Sequence, residues 1–260
     1  MLARKFTVAF AKPVEGTAMT ENALVTALEE ALQQARDLDA PLDDRLAIVA
    51  DRVRSLSATF AEAVDRMVAR LQQCDAGGAA PRVGEAMPAF ALPDETGRLV
   101  TLASVIAGGP AAISFNRGHW CPYCRLNVVA MAEVHGEIAA AGGQVVAIVP
   151  ERRKFAAALR ADAQAPFPVL TDMDNGYALS LNLAVWVGAE METLIAGAGW
   201  DLPRYQGNNA WLLPIPATFV VSADGVIAAR YIEPDYRRRM DIDMLISSLR
   251  LAGARRAIAV

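Results

Sequence analysis

This chain of 260 residues is short of several things, and each shortage excludes a class of protein. It has three cysteines, too few for a disulfide-stapled secreted scaffold. It has two histidines, so the stock of zinc ligands is meagre. It has no basic surplus: 25 Lys and Arg stand against 29 Asp and Glu, a net charge of −4 that argues against a general nucleic-acid binder. No uninterrupted apolar run reaches the ~18 residues of a membrane-spanning helix. No internal repeat or low-complexity tract occurs. What is present is the balance of a folded domain, 54% hydrophobic and 21% charged, with length for one large domain or one domain with an appendage.

The chain divides by pattern. Residues 1–19 carry Arg4 and Lys5, as a signal peptide would, but the apolar stretch Phe6 to Ala11 is short and Lys12-Pro13 ends it. A short arm on a cytoplasmic protein is expected. Residues 20–76 predict a helical hairpin. Leu24, Leu28, Leu32 and Ala35 recur at helical steps, and Pro41 with Asp43 and Asp44 marks a new helix start. Leu46, Val49, Val53, Leu56, Phe60, Val64, Met67 and Leu71 then form one long stripe. Such a stripe packs on its own chain or forms a homodimer seam; acids mixed with bases on the other face disfavour a membrane surface.

Residues 77–84 are a Gly/Ala/Pro linker. Beyond it short β-rich runs alternate with helical ones: strands at 111–116, 145–149, 217–221 and 226–232, and helices from Cys121 through Ile138, at 155–161, 175–183 and 241–251. Ala223-Asp224-Gly225 marks a hairpin between the last two strands. Strands joined by helical crossovers, then a hairpin, imply an α/β fold with a mixed central sheet, the arrangement of a thioredoxin-like domain. The domain is expected over 85–252, with an insertion at about 184–214 and a tail at 253–260.

Cys121-Pro122-Tyr123-Cys124 is the most informative run. A strand ends, a short loop follows, and a helix opens at the cysteines. Two intervening residues let both sulfurs meet across the first helical turn, where free N–H groups and the positive dipole end favour a thiolate. Pro122 suits the first helical position. Arg117, His119 and Arg125 are near enough in sequence to add positive charge. Half of a zinc site is the competing use, but no second Cys-x-x-Cys exists. Redox use is therefore expected, with no metal and no cofactor. Cys74 reads as a bland small residue. Trp120 is expected to cover the pair, His119 to tune a thiol or sit solvated, and His135 to be structural. Pro216, before an apolar strand, is expected to follow a cis peptide bond and to face the cysteines, as proline does in the thioredoxin fold.

Several runs resemble the peroxiredoxin-like branch of the alkyl hydroperoxide reductase/thiol-specific antioxidant family, in the thioredoxin superfamily. They are Val83-Gly84 with Pro88-Ala89-Phe90, Phe115 through Cys124, Phe167-Pro168-Val169-Leu170 with Asp172, Pro216 through Val220, and Pro234-Asp235-Tyr236. The resemblance implies thiol-based reduction of peroxides or disulfides, with a thioredoxin-like protein or glutathione as reductant. Two departures stand out. The family's Pro-x-x-x-Thr-x-x-Cys, laid on Cys124, puts Arg117 at the proline and Cys121 at the threonine. The family's distant arginine falls where Pro216 stands, leaving Arg117 or Arg230 as substitutes. The two overlays also disagree on the nucleophile. Thioredoxin logic makes it Cys121, the thiolate expected to be more accessible; peroxiredoxin logic makes it Cys124. A disulfide reductase with little peroxidase activity and a non-catalytic binding module are the competing functions. Asp201, Asn208, Asn209 and Trp211, in the insertion, are candidates for an access route.

Overall fold

The computed structural model describes residues 21–258; the expected arm lies outside them. Three helices come first: α1 (Glu21–Asp37), α2 (Leu42–Leu56) and α3 (Ala58–Gln73). The long stripe is thus divided between two helices. Ser57 takes an extended conformation (φ −152°, ψ 94°), and its hydroxyl accepts the Phe60 N–H at 3.2 Å, which ends one helix and caps the next. The stripe still works as one face, because Leu46, Val49, Val64, Met67 and Leu71 are all buried within the chain.

A small hairpin follows, β1 (Ala91–Pro93) with β2 (Leu99–Thr101), then α4 (Leu102–Ile106). The central elements are β3 (Ala111–Phe115), α5 (Pro122–Glu133), α6 (His135–Ala140), β4 (Gln144–Val149), α7 (Arg153–Asp162), β5 (Val169–Thr171) and α8 (Gly176–Ser180). One helix was expected from Cys121 through Ile138; the structure has two, parted at Val134. An excursion carries β6 (Ala184–Trp186), α9 (Ala189–Gly197), α10 (Leu202–Gln206) and β7 (Leu212–Pro214), with its end strands paired antiparallel. The chain closes with β8 (Ala217–Val221), β9 (Ile227–Ile232) and α11 (Ile242–Ile258), the last running beyond the expected end at Leu251.

The main sheet has the order β5-β4-β3-β8-β9. β3 pairs parallel with β4 and antiparallel with β8, so the sheet is mixed. β3, β5 and β8 are buried throughout and β4 at all but Gln144, whereas the edge strand β9 is fully buried only at Ile227. Ala112, Val145, Ala147 and Val220 face α5, α7 and α11. Ile113, Phe115, Ile148 and Phe219 face Phe90, Leu102 and Leu181. Complete burial of an aromatic such as Phe115 or Phe219 contributes about 1.5–3 kcal/mol.

A third core lies beyond α5. Leu126 and Ala130 meet Leu32, Leu46 and Val64 there, with Met191 and Leu202 from the excursion. Helix α5 is therefore covered by the sheet on one side and by the N-terminal helices on the other. A helix apolar all round is one that is buried. Arg45 pins this layer, donating to Ala35 O at 2.8 Å and pairing with Glu133 of α5 at 2.7 Å. Among the described residues no helix is long and apolar enough to cross a membrane.

Candidate active site

The corner between β3 and α5 holds the cysteines. Asn116 N–H donates to Ile148 O at 2.8 Å, prolonging the strand pairing by one residue. The Asn127 amide donates to Asn116 Oδ1 at 3.0 Å and ties the corner to α5. Cys121 is the residue before the helix, Pro122 opens it, and Cys124 completes its first turn.

Cys124 Sγ accepts two hydrogen bonds, from the Arg117 backbone N–H at 3.1 Å and from the Arg239 guanidinium at 3.2 Å. Burial alone would push this thiol up. The hydrogen bond from Cys121, the Arg239 charge and the Arg117 N–H and charge outweigh it and bring Cys124 down to about 5. Cys121 is pushed the other way by burial and by its bond to, and repulsion from, Cys124. Cys121 is expected to be the more accessible thiolate; both thiols are closed off, Cys121 at 1% exposure and Cys124 at 0%, because the N-terminal helices and the excursion cover the start of α5.

Arg117 lies with its guanidinium 3.8 Å from the Tyr236 ring centroid and 5.0 Å from that of Trp120. Trp120 donates from its indole to Arg117 O at 3.1 Å and packs on Trp200. With Cys121, Met191 and Tyr236 these residues bound a cavity of about 20 Å³. The cavity shares Val53, Phe60 and Trp200 with an apolar groove of about 400 Å³ between the N-terminal helices and α9.

His119 turns its imidazole to Asp162, 3.8 Å away, and burial and the Arg125 charge lower it from its ordinary range. Arg125 is engaged by Asp162 at 2.7 Å and by Glu29 at 2.5 Å, so it braces α5 against α1 and α7. Arg230 donates to Ala80 and Pro81 carbonyls, which places it in the linker region and not at the sulfurs. His135 packs on Phe167. Pro216 and Arg117 border one small cavity together with Tyr236. The expected cis bond before Pro216 is absent: no cis peptide occurs among the described residues. In the trans form the Ile215 N–H donates to Leu183 O and Pro216 O accepts from Glu233 N–H, so the backbone here is already paired. Of the four access-route candidates, Asp201 caps α10 and Asn208 donates to Asp174; only Trp211 joins the third core.

Two residues of the site escaped the sequence reading. Arg239 is 4% exposed and fixed by the Tyr236 and Arg238 carbonyls at 2.5 and 2.7 Å. Its signal was the run Arg237-Arg238-Arg239 after the Pro-Asp-Tyr motif, which resembles a solvated charge run. Glu151 is 0% exposed and accepts the His119 N–H at 2.7 Å. It stands among Arg152, Arg153 and Lys154, where a surface role is the natural reading.

The AhpC/TSA family model matches residues 83–230. The chain belongs to the AhpC/TSA family. It is accordingly a thiol-dependent peroxidase, a thiol oxidoreductase that reduces peroxides, and a thioredoxin-like reductant goes with that family. The fold of this AhpC/TSA protein is similar to that of peroxidoxin BcpB from Mycobacterium tuberculosis, at 19% identity and TM-score 0.51, over 65% of this chain and 97% of that one. It is also similar to a cysteine-to-serine form of peroxiredoxin 6 from Arenicola marina, at 12% identity and TM-score 0.51, over 69% and 75%. No curated protein sequence matches at a significant level. The family match excludes α1 to α3 and stops before Tyr236 and Arg239, so the guanidinium on Cys124 comes from outside it.

Proposed function

We propose that this protein reduces peroxides through a Cys121–Cys124 redox disulfide, with Cys124 as the attacking thiolate and Cys121 as the resolving thiol. The observation that carries this reading is the pair of donors on Cys124 Sγ, Arg117 N–H and Arg239 Nη2. A thiolate is the species that attacks, and these donors stabilise it where the first turn of α5 adds its dipole. Cys124–S⁻ takes the terminal oxygen of ROOH and a proton goes to the leaving group, giving Cys124–SOH and ROH. Cys121–SH then displaces water to form the disulfide. A thioredoxin-like protein or glutathione returns two electrons. Arg117 supplies its N–H and a charge; Trp120 and Tyr236 hold its side chain. Pro216 borders the same region from the β8 side. A thiol cycle needs a reducing compartment, which favours the cytoplasm. A homodimer is compatible with it, and sedimentation tests that state.

A second reading, disulfide reduction led by Cys121, is favoured by one observation: Cys121 borders the small cavity, and Cys124 does not. Rapid mixing of the reduced protein with hydrogen peroxide separates the two. Prompt loss of two thiols, with a sulfenic acid trapped in Cys121→Ser and none in Cys124→Ser, is expected. Thiols that survive peroxide but exchange rapidly with a disulfide peptide would replace the first reading by the second.

A further inference from the structure

Glu151 follows β4 and Pro150 and points beneath the loop that leads to the cysteines. Its Oε2 accepts the His119 N–H, and its Oε1 has no hydrogen-bond partner in a fully buried site. The loop is shaped around it: a Cβ on Gly118 (φ +131°) would lie 2.4 Å from the carboxyl carbon. A buried carboxyl with one idle oxygen is costly as an anion and tolerable as a neutral acid. Burial, and then the Cys124 thiolate, push Glu151 up to about 8, against the N–H groups of His119 and Trp120.

Its ionisable neighbours are few. Cys124 on α5 acts on it across the loop whose Arg117 N–H bonds the sulfur and whose His119 N–H bonds the carboxylate, and Tyr205 from α10 carries a phenol raised by its own burial and by Glu151. The His119 imidazole is turned to Asp162, and the Arg152 guanidinium lies against Gly207. Arg117 and Arg239 act on Cys124. Cys124 is thus the neighbour whose charge changes with the redox state.

We propose that Glu151 is the proton store of the Cys121–Cys124 couple, holding a proton while Cys124 is a thiolate and giving it up when Cys124 is oxidised. The inference rests on the disulfide cycle proposed above. The first step becomes Cys124–S⁻ + ROOH + Glu151–COOH → Cys124–SOH + ROH + Glu151–COO⁻. Condensation with Cys121–SH releases water and leaves the disulfide beside a carboxylate. A dithiol reductant then supplies two electrons and two protons, one proton to Cys121 and one to Glu151, and Cys124 returns as a thiolate. Glu151 acts through Cys124 and is a positioning residue for the proton.

The test is the equilibrium of the full-length protein with a dithiothreitol buffer, the disulfide being formed with diamide so that peroxide reactivity plays no part. In wild type the dithiol gives two protons and the protein takes two, so between about pH 6 and 7 the equilibrium constant is nearly independent of pH. In Glu151→Gln one proton is released, and the constant rises about tenfold per pH unit. A wild type that already rises tenfold per unit overturns the proposal. A second measurement needs no variant. The infrared difference between reduced and oxidised wild type at pH 7 is expected to lose a protonated-carboxyl band on oxidation, and a spectrum without it overturns the proposal if Glu151→Gln does not fold. Failure of the pair to form a disulfide under diamide would instead sink the cycle itself.

Discussion

Cys121 and Cys124 open the same helical turn, yet one stretch of backbone gives them opposite chemistry. Both are buried, and both lie at the positive end of α5. What separates them is specific donors. Cys124 receives the Arg117 N–H from the preceding loop and the Arg239 guanidinium from a segment far along the chain. Cys121 receives neither and is left beside an anion. A helix dipole shared by two thiols does not choose between them; two hydrogen bonds within about 3 Å do.

The contrast is broken most completely at the sulfur. Cys124→Ser is expected to lower the peroxide rate by roughly 10³-fold or more, measured by stopped-flow, whereas Cys121→Ser keeps the first step and loses only the disulfide. The charge is the next lever. Wild type is expected to keep its thiolate absorbance as pH falls to about 5 and to lose it below. In Arg239→Gln the midpoint moves up, toward the ordinary thiol range. At pH 6 each unit by which it passes 6 costs about tenfold in peroxide rate, and alkylation rates against pH follow the same curve.

Arg117→Gln sharpens the comparison. Its direct bond to Cys124 comes from the backbone, which the substitution keeps, so the midpoint is expected to move less than in Arg239→Gln. The lost contact with Tyr236 and Trp120 should lower stability by about 0.5–2 kcal/mol, read by urea unfolding. Ser57→Ala has the smallest reach. It removes the cap of α3 at a cost of about 1 kcal/mol, and the thiolate midpoint should stay where it is.

How much of this was visible beforehand depends on range. The alternation of β3, α5 and β4, the hairpin of β8 and β9, and Pro122 at a helix start were legible because each is written in neighbouring residues. Ser57 was harder. The apolar stripe runs through it unbroken, and only its backbone conformation divides α2 from α3. Arg239 and Glu151 were read past for one reason: each sits in a cluster of charged residues, and such clusters usually face water. The expected cis bond before Pro216 was carried over from a likeness, and the trans backbone there pairs with Leu183 and Glu233 instead.

The sequence by itself determined that two thiols open a buried helix after a buried strand, since strand period, proline position and the Cys-x-x-Cys spacing are local facts. Which thiol becomes the anion was decided only by tertiary structure. Burial and charge act through space, and the guanidinium that stabilises Cys124 comes from a segment that follows β9 in the chain, where no pattern in the motif could announce it.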